Sequence, residues 1–151
     1  MAQFYQSDNI LIPKVMRDRI NTWENLPVSI KLEDTGKTVP SMMIQQLAAT
    51  TKKRKYVNGT YVGLFNFAVY IVIDGEDTAS RIDALAVLND LGEWLSKKDE
   101  DGQYVNLPDL GQGRRAMSIT LSSAPSIAAK HETGEEEYQA LFVLEYIASG
   151  N

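Results

Sequence analysis

One histidine, no cysteine and twenty carboxylates are the stock from which this chain could build a chemical centre. Catalysis of the Ser-His-Asp type needs a histidine between a nucleophile and an orienting acid. His131 instead sits in an acidic turn, closely followed by glutamates, and reads as a solvated turn residue. A zinc site wants several Cys or His ligands, which one histidine cannot supply. Without cysteine there is no disulfide and no thiol chemistry. Two carboxylate clusters remain, Asp99, Glu100, Asp101 and Glu135, Glu136, Glu137. Neither has the alternate-residue spacing of a calcium loop, and both read as acidic surface. Gly111-Gln112-Gly113 lacks the strand before it and the lysine-bearing helix after it that a phosphate loop requires. Nothing singles out a carboxylate pair for glycoside hydrolysis. The expectation is therefore a protein with no catalytic residue, no metal and no cofactor.

The sharpest charge feature is Lys52-Lys53-Arg54-Lys55, followed by Tyr56. Such a run meets phosphates or an acidic partner, or it is a solvated strand end whose lysines discourage edge-to-edge pairing. A formal charge of -5 argues against a nucleic-acid binder and against attraction to an anionic membrane. The basic run and the two acidic clusters are far apart in the chain. If they lie on opposite flanks of the fold, each copy presents one sign to its neighbour's other sign. All ten of these residues are candidate assembly contacts. Trp23 and Trp94 fall on apolar helix stripes and read as core. The first residues lack the pattern of a signal peptide, and no apolar stretch is long enough to span a bilayer.

The elements that must position these residues follow from periodicity. The chain, 151 residues and 44% apolar, is expected to form one domain, with residues 1–9 loose. A helix is expected over 10–26, with Pro13 in its first turn, then a short strand over 28–32 and turn chemistry over 33–37. A strand over 41–49 follows, then a basic, turn-like stretch in which Asn58-Gly59 signals a hairpin. Phe65, Phe67, Val69, Ile71 and Ile73 alternate as the inner face of a long strand, opposite a mixed second face. Ile82, Leu85, Leu88, Leu91 and Leu95 make the apolar stripe of a helix over 78–97, capped by Asp77 or Thr78. A long charged connection follows. Strands are expected over 116–122, interrupted at Ala124-Pro125, over 127–130, and finally over 138–147. The last is apolar on both faces except at Glu145, which marks it as central. The fold class implied is α+β: a largely antiparallel mixed sheet covered by an N-terminal helix and a long central helix. Phe67, Ile71, Leu85, Leu88, Phe142 and Leu144 are expected to be buried.

The order of several short pieces resembles one family. They are residues 54–59, the series from Asp74-Gly75-Glu76-Asp77 to Ala84, and Leu91-Gly92-Glu93-Trp94-Leu95. Leu107-Pro108-Asp109-Leu110-Gly111, Ser123-Ala124-Pro125-Ser126 and residues 134–140 complete the set. Together, over residues 42–148, they resemble the minor capsid and tail-terminator proteins of long-tailed bacteriophages. The resemblance implies a small α+β protein of the virion, not an enzyme, made in the bacterial cytoplasm and closing into a hexameric ring. Such a ring caps the tail tube, ends its polymerisation and offers a docking surface to head-connector proteins, with DNA passing through non-specifically. Another neck or minor capsid component, a head-completion or tube protein, is the alternative. A small-molecule-binding module or hydrolase is a third.

Overall fold

The computed structural model describes residues 8–32, 40–47, 51–75, 78–111 and 113–149. The expected turn at 33–37 and the capping position Asp77 lie outside them. Among the described residues two helices, α1 (Asp8–Ile20) and α2 (Thr78–Leu95), accompany six strands. These are β1 (Ile30–Leu32), β2 (Ser41–Gln46), β3 (Thr51–Lys55), β4 (Tyr61–Asp74), β5 (Arg114–Lys130) and β6 (Glu135–Ala148). They form one sheet in the order β1-β2-β4-β6-β5, with β3 also paired to β4. Among the described residues only the β1–β2 pair is parallel.

β4 and β6 are the spine. They pair in unbroken register from Tyr61↔Ala148 to Asp74↔Glu135. Phe65, Phe67, Val69, Ile71 and Ile73 face the core opposite Leu144, Phe142, Ala140, Tyr138 and Glu136. The rings of Phe65, Phe67 and Phe142 stack in series with centroids 5.2 Å apart, a spacing favourable for offset aromatic pairs. Gly63 is required here. A β-carbon at that position would lie 2.3 Å from the ring of Tyr146, which crosses β4 at this point. Met42 and Ile44 extend the core onto β2, and Ile12, Met16 and Ile20 close it from α1.

The sheet covered by helices is corrected by this architecture. Strand exceeds helix, 48% to 22% of the described residues, and one six-stranded mixed sheet dominates. The reason is length. α2, with 18 residues, is about 27 Å long at 1.5 Å per residue. β5, with 17 residues, extends about 56 Å at 3.3 Å per residue. α2 packs on β4, β5 and β6, α1 packs on β1 and β2, and neither runs the length of the long strands. On the opposite face Leu64, Asn66, Tyr70, Leu141, Val143 and Ile147 are half-buried.

Both helices also differ from expectation, α1 in its bounds, since it ends at Ile20 and not near residue 26, and α2 in its phase. α1 starts at Asp8, two residues early, so Pro13 lies beyond its first turn. α2 buries Ala84, Leu88, Leu91 and Leu95, while Leu85 is only half-buried and Ile82 is 63% exposed. Three residues back from Ala84 lies Arg81, whose guanidinium meets Glu136 while its side chain stays 42% exposed. Ala124-Pro125 falls at a register break between Ser123 and Ser126 on β5, where an edge strand tolerates the missing N–H.

Candidate functional site: the two flanks of the sheet

β2 and β3 share one side of β4. β2 pairs with residues 67–72 and β3 with residues 61–64, so the basic run is an edge strand. All five of its residues are exposed. The Asn58-Gly59 turn leads it back into β4, with Gly59 at φ 88° and the Tyr56 N–H donating to the Thr60 carbonyl at 2.7 Å. The four cations are not equivalent. Lys52 places Nζ 4.4 Å from the centroid of the Tyr61 ring, a cation–π contact. A bulge between Lys52 and Arg54 turns Lys53 toward Glu145, which it meets at 3.0 Å. Arg54 and Lys55 have no side-chain partner among the described residues.

Arg54 is opposite Val62, Val62 opposite Ile147, and Ile147 opposite Arg115. These four residues form one row across the sheet, about 14 Å wide from three strand spacings. Beyond Arg115 lies the connection that follows α2. Its residues 102–104 and 107 face Arg115, Ala116 and Met117 across a cavity of about 330 Å³. Asp99 shapes its tip, since Oδ1 accepts from the backbone N–H groups of Asp101 and Gln103, both at 2.9 Å. Glu100 and Asp101 are exposed there without partners among the described residues. Lys98 is drawn over the Tyr104 ring. The basic run and this acidic tip therefore lie level with each other on opposite flanks.

The second acidic cluster is elsewhere. Ile73 of β4 is opposite Glu136, and ten residues of extended chain separate it from Gly63, roughly 33 Å. Glu136 is also not a surface contact. It is 4% exposed, and its Oε1 accepts from Arg81 Nε at 2.6 Å and from the Tyr138 hydroxyl at 3.4 Å. Arg81 donates in addition to the Gly75 carbonyl. Burial, then the charge of Glu136, pushes the Tyr138 hydroxyl above its ordinary pKa. Glu137 lies 3.1 Å from His131 Nε2, so the histidine does have an orienting carboxylate. The histidine remains exposed, and its side chain meets no nucleophile among the described residues. Only Glu135 of the three stands exposed at the hairpin end.

One centre that the residue pattern did not reveal joins α1 to the sheet. Asp8, the first residue of α1, accepts from Arg114 Nε on one oxygen and from Tyr61 and Tyr146 on the other, the Tyr146 bond at 2.6 Å. The Arg114 side chain is fully buried. Burial opposes ionisation of Asp8, but hydrogen bonds from Tyr146, Tyr61 and Arg114, with the guanidinium charge, outweigh it and hold its pKa below the usual aspartate value. No neighbouring residue type announced this, because its partners are 53 to 138 residues away. Among the described residues, no three His, Asp or Glu side chains converge as a metal site would need. No protein-family model and no curated protein matches the chain.

Proposed function

We propose that this protein is a structural subunit of the head–tail junction of a long-tailed bacteriophage. Six copies form a ring that caps the tail tube, ends its growth and receives the head-connector proteins. DNA passes through without specific contacts. The observation that carries the reading is the pair of flanks. Unpartnered Arg54 and Lys55 on one edge stand level with unpartnered Glu100 and Asp101 beyond the other. A head-to-tail contact that uses one flank against the other repeats itself, and it closes when the rotation per copy closes. The order of motifs over residues 42–148 supports the phage assignment. Exposed charge pairs of this kind supply steering and register more than affinity.

The test is charge reversal followed by charge exchange. Arg54→Glu with Lys55→Glu is expected to abolish rings seen by native mass spectrometry at low salt and to give tails of uncontrolled length by electron microscopy. Adding Glu100→Lys and Asp101→Lys is expected to restore both. A folded double variant that still terminates tails at normal length removes the basic edge from the assembly contact.

A further inference from the structure

β5 is the last strand of the sheet among the described residues, and between Arg115 and Lys130 no charge of its own defends its outer side. Residues 116–129 carry no charged side chain. The backbone groups of residues 115–130 that point away from β6 have no hydrogen-bond partner among the described residues. Three large apolar side chains stand beside this unpaired backbone, Met117 at 41%, Leu121 at 40% and Ile127 at 43% exposure. Leu121 and Ile127 are opposite Phe142 and Tyr138, so both lie on the α2 side of the sheet. A long uncharged edge flanked by apolar side chains is a template for another strand.

Near the far end of β5 the strand meets a cavity of about 330 Å³ lined by Leu85, Pro125, Ile127, Arg81, Lys130 and Glu136, among others. Glu136 is consumed by Arg81 Nε. Arg81 Nη1 and the Lys130 ammonium have no partner among the described residues, so the mouth of the cavity keeps a positive surplus. We propose that β5 takes an added strand from a partner protein. The added segment is extended, apolar at alternate positions against Leu121, Ile127 and Leu85, and carries a carboxylate that reaches Arg81 and Lys130. Recognition of this kind draws affinity from the backbone ladder and selectivity from side-chain pockets.

Charge disfavours a second copy of this chain as the occupant. Antiparallel pairing of β5 with β5 brings Arg115 of one copy toward Lys130 of the other. Pairing with β3 lays Lys52, Lys53, Arg54 and Lys55 along the uncharged stretch 116–129, where none of them meets a carboxylate. Like charges directly opposite each other destabilise a strand pair. The inference does not depend on the ring, since it holds for any partner that supplies such a segment.

The probe is a capped synthetic peptide that alternates valine and threonine with glutamate at each end, compared with its lysine-ended counterpart. The glutamate-ended peptide is expected to protect β5 amides from hydrogen exchange. The lysine-ended peptide should bind about tenfold more weakly, the size of two exposed ion pairs reversed in sign. Lys130→Glu should erase that preference, and Ile127→Asp should abolish binding while exchange in β4 and β6 shows the fold intact. Equal binding of the two peptides, protection on β3 in place of β5, or no protection at saturating peptide overturns the proposal. Protection of β5 that grows with protein concentration alone also overturns it, and makes a second copy the occupant.

Discussion

β3 and β5 close the same sheet on opposite sides, and they do so by opposite means. β3 is five residues long, fully exposed, and four of the five are cationic. A second chain gains little by pairing with it, because it must bury or confront those charges. β5 is seventeen residues long, and its central stretch is uncharged. Its order is broken instead by register shifts near Met117, Ser122, Ala124-Pro125 and Ala128. Bulges disturb a ladder locally without repelling a partner. Blocking by charge suits an edge that meets another surface through side chains. Blocking by irregularity leaves the backbone of an edge available to a partner that fits.

The largest effect falls on what the two edges share. Phe142 stacks on Phe67 at the centre of the β4–β6 spine, and it is 1% exposed. Phe142→Ala should cost about 3–5 kcal/mol, measured by urea unfolding. Both edges should lose protection together, since each takes its backbone ladder from this spine, although β5 also packs on α2. Loss at β5 alone would show that β3 and β4 hold together without the spine.

The next effect is smaller and one-sided. Asp8 ties α1 to Arg114, the first residue of β5. Asp8→Ala leaves a buried guanidinium without its carboxylate and should cost about 3 kcal/mol. Exchange should rise at the start of β5 and in α1 before it rises in β2. The pH dependence has a definite sign. The folded pKa of Asp8 lies below the reference value of 3.8, so its contribution is fully present above that value. It is lost as pH falls through the lower folded pKa. Wild type should therefore lose stability below about pH 4 more steeply than Asp8→Ala. Parallel acid curves for the two proteins would contradict the assignment.

Much of the spine was legible in the residue order. The alternation from Phe65 to Ile73 is unbroken, and burial enforces it, since a slip of one residue would expose the whole face. The same period of two contained a signal about the acidic cluster. Glu136 shares parity with Tyr138, Ala140 and Phe142, so it belongs on the core face, while Glu135 and Glu137 do not. The three glutamates therefore do not share one surface, and Glu136 is the buried one. In α2 a stripe counted from Ile82 and Leu85 accommodates every leucine, and the burial of Ala84 shows which line faces the sheet. The Asp8 network had no local signal, because its four members come from α1, β4, β5 and β6. How much sheet a helix covers also depends on strand lengths, and the interruptions of β5 concealed its full span.

Gly63→Ala tests the same corner through sterics. The added β-carbon meets the Tyr146 ring at 2.3 Å. A tyrosine with an unbonded hydroxyl would swing aside, but this one is held by Asp8. The cost should be about 1–3 kcal/mol, typical of overpacking. It should shrink in an Asp8→Asn background, where the ring is less firmly held. Equal costs in both backgrounds would mean that Asp8 does not fix the ring.

The smallest effect separates the four cations of β3 from one another. Lys53 meets Glu145 at 3.0 Å across a bulge, with its own side chain 53% exposed. An ion pair so exposed should contribute under about 1 kcal/mol and weaken as salt rises. Lys53→Ala should therefore lower the urea midpoint slightly at low ionic strength and leave it unchanged at high ionic strength. Arg54→Ala, which removes a charge with no partner among the described residues, should not move the midpoint at either. Assembly should sort the two residues the other way. If the edge is a contact between copies, losing Arg54 removes a charge held in reserve for the neighbour, while losing Lys53 removes one already engaged within the subunit. Ring formation measured by native mass spectrometry should then fall more for Arg54→Ala than for Lys53→Ala. The reverse order would mean that the Lys53–Glu145 pair opens on assembly and that the bulge presents Lys53 outward.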